Sequence, residues 1–246
     1  MKKDYKDATN KVLLDYYERN GIEATLNVAE AMLKAGNHKS NAVFHAHTHG
    51  EICETVLEVM LSEFIKCNHL ESKGWFFKKG LILKDVNNLE SDFLTELDLT
   101  LFTPQCIILF ECKSYGGDKE LTDVCTIRRK GKKSFDVYKQ NSLHAKVLFE
   151  QLKPFMIVDE TTINEKYVQL VLFNFSLGIV NDTRTVKCKN VMPSINPKTL
   201  NRLLESLRSR KVLWNIAALR RAADIISLHS DEYRKAHLKY VTSLKH

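Results

Sequence analysis

The sequence predicts an α/β fold in which a mixed central sheet is flanked by helices and extended by further helices at both ends, and three observations lead there. Apolar residues recur at three- and four-residue spacing over several long stretches. Between residues 75 and 113, three runs rich in Ile, Leu and Phe are bounded by Asn, Asp, Pro and Gly, the punctuation of strands. The resulting order is helix, three strands, helix, strand, which calls for helices packed on a sheet.

At 246 residues the chain can bury a true core without disulfides, as one generous domain or one domain with a helical appendage. Its 44% hydrophobic and 27% charged residues exclude a disordered or fibrous class. No apolar run reaches membrane-spanning length, and the start Met1-Lys-Lys-Asp-Tyr-Lys-Asp7 lacks the apolar segment of a secretory signal. A cytoplasmic protein without a membrane partner is expected. Six cysteines, at 53, 67, 106, 112, 125 and 188, form no CxxC pair and read as reduced core residues. From Lys198 onward eleven Lys and Arg face four Asp and Glu, which equals the whole formal charge of +7. A basic end on a neutral body suggests a polyanionic partner; the alternative is a solvated basic helix surface.

Taken in order, two helices are expected over about 4–20 and 23–35, each stopped by a glycine, Gly21 and Gly36. A polar, His-rich segment, Asn37 to Gly50, leads to a third helix from about Glu51 to Cys67. Strands follow at about 75–84, 93–102 and 106–113, then a short one near 124–128. The basic loop Arg128-Arg-Lys-Gly-Lys-Lys133 precedes a helix over about 136–153 that Pro154 stops, and then a buried strand over 167–175. From Asn196 the pattern is helical again, with segments from Leu200 to Leu207, from Val212 to Leu228 and after Asp231. The expected organisation is an N-terminal helical extension over 1–45, a core over 46–182 and a basic helical region over 183–246.

The chemistry concentrates on the strands. In Phe93-Leu-Thr-Glu-Leu-Asp-Leu-Thr-Leu-Phe102, alternation puts Glu96, Asp98 and Thr100 on one face, and in the next strand Glu111 and Lys113 share a face with Ile107 and Leu109. If Pro104-Gln105 is the tip of a hairpin, or any even-length loop has that centre, Asp98 falls opposite Glu111 and Glu96 opposite Lys113. Opposed Cβ atoms lie roughly 4.5–5.5 Å apart, so two carboxylates there repel unless a positive charge stands between them. A divalent cation supplies it, and hard oxygen donors suit Mg²⁺ or Mn²⁺ better than zinc. Lys113 can then hold or help deprotonate an attacking water, which together describes metal-assisted hydrolysis of a phosphodiester. The competing reading is cross-strand salt bridging, Glu96 with Lys113 included.

The preceding helix bears on the choice. Glu54 lies in register with Leu57, Leu61 and Phe64, so a carboxylate occupies the core-facing stripe, where it needs a cation or a hydrogen-bond network. Glu51 and Glu58, with Ser62, mark the solvated stripe. His45, His47 and His49 alternate in sequence and could bind zinc if extended.

Taken together, these segments resemble the PD-(D/E)xK nucleases, particularly the nuclease-related domain, NERD. Gly50-Glu-Ile-Cys-Glu54 is similar to the family's GxxGE helix entry, with Cys53 in place of the second glycine. Glu96-Leu-Asp98-Leu-Thr-Leu101 resembles the strand with the metal-binding aspartate, and Ile108-Leu-Phe-Glu-Cys-Lys-Ser-Tyr-Gly116 the apolar strand ending in Glu-x-Lys. Tyr138-Lys-Gln-Asn-Ser-Leu-His144 resembles the helix that keeps a glutamine, with His144 where many relatives hold tyrosine. The likeness spans roughly His47 to Phe175.

It implies a restriction-endonuclease-like core and a Mg²⁺- or Mn²⁺-dependent nuclease acting on nucleic acid, DNA in preference to RNA. Asp98 and Glu111 would ligate the metal, with Glu54 completing the shell directly or through water. Lys113 would position the nucleophile, and Gln140 would organise the site or contact phosphate. Arg128, Arg129, Lys130, Lys132 and Lys133 would meet the nucleic-acid backbone, and the terminal helices a second copy of the chain or a protein partner. Two rivals stand beside it: a non-catalytic nucleic-acid-binding or scaffolding module on the same fold, and a zinc hydrolase using the three histidines.

Overall fold

A computed structural model describes the backbone of residues 2–36, 42–85, 94–156 and 166–243, with side chains described over 10–35, 48–85, 94–156 and 166–237. In chain order the helices are α1 (Lys2–Gly36), α2 (Ala42–Cys67), α3 (Val137–Leu152), α4 (Val186–Val191), α5 (Pro197–Arg208) and α6 (Ile216–Ser243). The strands are β1 (Phe76–Lys84), β2 (Leu94–Phe102), β3 (Ile107–Lys113), β4 (Lys119–Thr122), β5 (Thr126–Arg128), β6 (Phe135–Asp136), β7 (Val168–Asn174), β8 (Val180–Asp182) and β9 (Ser194–Ile195). The expected α/β class with a mixed sheet is therefore present. The chain divides into two compact units, one of Met1–Asn68, Cys112–Val137 and Leu172–Leu203, the other of His69–Glu111, Tyr138–Val171 and Leu204–His246.

In the first unit, Gly21 breaks α1 with φ 77° and ψ −178°, a left-handed conformation that a glycine adopts without a Cβ clash. Asn10 and Tyr17 of α1 bond Thr55 and Glu63 of α2, so α1 covers one side of α2. That cover corrects one expectation. Glu51, one turn before Thr55 on the same side, is only 8% exposed and is not the solvated residue the periodicity implied. The segment from Ala42 to Gly50 is likewise helix, so it lacks the extended backbone on which the zinc reading of the histidines depended. The side chains of His45 and His47 lie outside the described residues, and His49 is buried.

The same unit holds a small sheet with strand order β6-β5-β4-β8, in which β4 and β8 run parallel through Lys119↔Val180 and Leu121↔Asp182. The sequence pattern missed β4 and β8. They are too short and too charged to alternate visibly, and inward side chains such as Leu121 and Ile127 are few. The end of β7 pairs in parallel with β9 through Leu172↔Ser194 and Phe173↔Ile195.

In the second unit β1 pairs antiparallel with β2 from Phe76↔Phe102 to Lys84↔Leu94, and β2 pairs with β3 from Leu99↔Phe110 to Phe102↔Ile107. This is the register expected for a hairpin centred on Pro104-Gln105. The loop itself is locked by Thr103, whose hydroxyl accepts from the Cys106 N–H at 3.0 Å and donates to the Cys106 carbonyl at 2.6 Å. On the far side of β3, the Ile107 N–H bonds the Tyr167 carbonyl at the start of β7. Leu81, Phe102, Leu109, Leu148, Phe149 and Trp214 belong to a core in which α3 and α6 pack against the strands. Of the C-terminal segments expected separately, the one from Leu200 to Leu207 is α5, while those from Val212 to Leu228 and after Asp231 join in the single helix α6. Asn215 caps α6 by accepting from the Ala218 N–H at 3.1 Å, and the Asp231-Glu232 pair is solvated polarity within it, since no Gly or Pro interrupts the run.

All six cysteines are free; Cys53, Cys106, Cys112 and Cys125 are buried, whereas Cys67 is exposed and Cys188 half-buried, which removes those two from the expected core. Among the described residues no helix is long and apolar enough to cross a membrane.

Gly178 sets a local limit on the first unit. It has φ +88°, and a Cβ there would stand 2.4 Å from the Gly117 carbonyl carbon, a backbone atom that cannot swing aside. Gly131, at φ +67°, has open space around it. Urea unfolding should therefore show Gly178→Ala losing about 2–4 kcal/mol and Gly131→Ala about 1 kcal/mol. Equal losses would contradict the close approach.

Candidate functional site

On the face of the second unit's sheet that bears Lys78, Glu96, Thr100 and Leu109, cross-strand pairing and the two-residue repeat place Asp98 and Glu111 as well. They stand one step beyond Leu99↔Phe110, the last pair of the β2–β3 ladder. Helices cover the polar positions of this face: Lys78 lies 3.7 Å from Asp224 of α6, and Glu96 lies 3.2 Å from Nε2 of His237, also on α6. Glu96 thus has a partner on α6, which the salt-bridge reading with Lys113 did not foresee. Asp98 is half-buried, while Glu111 is 1% exposed.

Glu111 is approached from α3. The His144 Nδ1 lies 3.5 Å from Glu111 Oε2, and one turn earlier Asn141 Nδ2 donates to the Leu109 carbonyl at 3.4 Å. These two contacts lay α3 along β3. Gln140 shares the His144 side of the helix at the i, i+4 spacing, and its Oε1 is buried with no hydrogen-bond partner among the described residues. In the second unit the structure thus gathers Glu111, His144 and α3's Gln140 beside the strand pair that bears Asp98. His144, whose role the sequence left open, could have been found from its i, i+4 relation to Gln140.

Glu54 and Lys113 belong to the first unit. Glu54 is half-buried on α2, among the buried Ile52, Cys53, Leu57 and Leu61. The neighbouring Cys53 thiol lies 3.6 Å from the Lys113 carbonyl and 3.8 Å from that of Phe173, which sets the start of α2 against the ends of β3 and β7. Lys113 ends β3, two residues after Glu111, and its Nζ stands 5.2 Å from the centre of the Phe135 ring.

The basic loop joins β5 to β6. Arg128 is 3.6 Å from Asp123, Lys130, Lys132 and Lys133 are exposed, and Arg129 lies over the Tyr115 ring at 4.2 Å. Sequence reasoning missed Lys119, the first residue of β4, which is 4% exposed. Its Nζ donates to the Tyr115 carbonyl at 3.0 Å and to the Ser176 hydroxyl at 2.5 Å. Burial, then the charge of Arg129, pulls its ammonium down from the ordinary 10.5 to about 8. Inward alternation of Lys119 with Leu121 was the available signal, hidden in a four-residue strand.

Compared with known families, the chain matches the family described as nuclease-related domain, NERD, over residues 50–174. No curated protein and no solved structure matches. The matched span includes α2 from Gly50, β1 to β6, α3 and all of β7, and so every strand and helix that bears an expected site residue.

The depressed Lys119 pKa has a consequence for stability. Between about pH 8 and the ordinary 10.5, the unfolded chain holds a proton that the folded one has released, so folding is favoured increasingly as pH rises through that window. Denaturant titrations of wild type and Lys119→Met should diverge accordingly, the wild type gaining on the order of 2 kcal/mol over the variant from about pH 7 to about pH 10. Parallel stability curves would contradict the burial of this charge.

Proposed function

The chain belongs to the nuclease-related domain family, and from that premise we propose that it is a nuclease that hydrolyses phosphodiester bonds of nucleic acid, DNA in preference to RNA, with a divalent cation. The observation that supports this most is the acid pair Asp98 and Glu111, set in register on one sheet face with Glu111 almost wholly buried. Two carboxylates in such proximity stay ionised together only beside positive charge.

Their chemistry fits Mg²⁺ or Mn²⁺. Among the described residues no group of three His, Cys, Asp or Glu could hold a metal by itself. Asp98 and Glu111 would supply two carboxylates of the kind Mg²⁺ takes, with water and substrate phosphate oxygens completing its shell. When bound, the cation supplies Lewis acidity toward a phosphate oxygen and the attacking water. Glu54 would complete the shell, directly or through water. Lys113, on the same strand as Glu111, holds the attacking water and takes part in removing its proton. Gln140 uses its buried amide to orient a phosphate or a water, and His144 steadies the Glu111 carboxylate from α3. Arg128, Arg129, Lys130, Lys132 and Lys133 neutralise backbone phosphates, an interaction that weakens with salt.

Incubation with linear, circular and single-stranded DNA and with RNA, in Mg²⁺, Mn²⁺ or EDTA, tests the reading. DNA should be cut with either metal, EDTA should abolish cutting, and Lys113→Ala should slow it by about 100-fold or more. Cleavage that survives both EDTA and the substitution would overturn the mechanism. Tight binding with no cleavage under any condition would favour the scaffolding alternative.

A further inference from the structure

Tyr115 brings two cations to one cleft. Its carbonyl accepts from Nζ of Lys119 at 3.0 Å, and its ring lies 4.2 Å from the guanidinium carbon of Arg129. Ser176 accepts a second bond from Lys119 at 2.5 Å and donates onward to Asn174 Oδ1 at 2.6 Å, so the ammonium is fixed from two sides by neutral groups. An ammonium has three donors, which leaves a third N–H for something else.

No carboxylate takes it. Among the described residues Lys119 and Arg129 form no ion pair, although Arg128 beside them is paired with Asp123. The nearest acids, Asp118 and Glu120, line the same cleft without an ion pair to either cation, and Asp118 accepts the Ile179 N–H at 2.8 Å. A buried ammonium held beside a guanidinium, with neutral partners only, is electrostatically costly unless an anion joins them. The two cations line an open cleft of about 380 Å³ with Asp118, Glu120, Arg128 and Lys130.

We propose that Lys119 and Arg129, both held by Tyr115, form a subsite for one phosphate group of the nucleic-acid backbone. Arg129 offers a planar fork that can meet two phosphate oxygens, and Lys119 a point charge beneath them. Arg128 and Lys130 stand at the rim, where they contribute long-range attraction. The subsite rests on the reading of the substrate as nucleic acid but not on the catalytic roles of Asp98, Glu111 or Lys113.

The test is fluorescence anisotropy of labelled single- and double-stranded DNA oligonucleotides in EDTA, so that binding is read without turnover, across a salt series. Lys119→Met and Arg129→Gln should each weaken binding about 3- to 10-fold and lower the slope of log affinity against log salt by about one. Arg129 is half-buried on a loop, so its variant remains informative if Lys119→Met fails to fold. Oligonucleotides bound by wild type and by both variants with equal affinity and equal slope would overturn the subsite and leave the substrate reading intact. A wild type that binds no oligonucleotide at all would overturn both.

Discussion

The hydroxyl of Thr103 accepts from the N–H of Cys106 and donates to its carbonyl, closing the loop between β2 and β3 at four residues. With that length fixed, Phe102 faces Ile107 and Leu99 faces Phe110, and alternation puts Asp98 and Glu111 on one sheet face just beyond the last paired residues. A loop one residue longer would send Glu111 to the opposite sheet face relative to Asp98 and separate the acids. The loop is itself tied down, because the Pro104 carbonyl accepts from the N–H groups of Leu213 and Trp214 at 2.8 and 2.9 Å. Buried Trp214 stands edge-on to Tyr167 at the start of β7, so the core holds the turn that sets the register.

On that sheet face the fold sets a series of ionisable groups against helices. Lys78 meets Asp224, Glu96 meets His237 and Glu111 meets His144. The first lies at the more exposed edge, where an ion pair contributes little; the last is almost fully buried, where a charge without compensation would cost several kcal/mol. Burial thus increases from Lys78 to Glu111, the carboxylate of the three that the fold shields best from water. Asn141 on the Leu109 carbonyl and His144 on Glu111 hold α3 in place, and with it Gln140.

Much of this was legible in the sequence because it is local. Hairpin register depends on loop length and strand alternation alone, and α3 lies between the loop ending at Lys133 and Pro154. What stayed hidden was set by distant chain. Glu51 reads as solvated on the helix repeat, yet Asn10 and Tyr17 bring α1 over that side of α2, and residues some 45 positions apart leave no trace in a helical period. Cys67 sits in the same apolar run as buried Phe64 and is nevertheless exposed, with its thiol 3.3 Å from Glu63. Lys119 is buried through Ser176, 57 residues on, in a strand too short to show a pattern. The family match takes in the β2–β3 hairpin and α3 together with Glu51, Cys67 and Lys119, and leaves α1 and α6 outside it.

Cation binding by the acid pair is the claim on which the enzymatic account turns, and Mn²⁺ titration followed by electron paramagnetic resonance measures it without any substrate. Wild-type protein should sequester Mn²⁺, and Asp98→Asn and Glu111→Gln should each weaken that binding by about tenfold or more while leaving the folded signal in circular dichroism unchanged. Equal Mn²⁺ affinity in all three proteins, or none in the wild type, would contradict it.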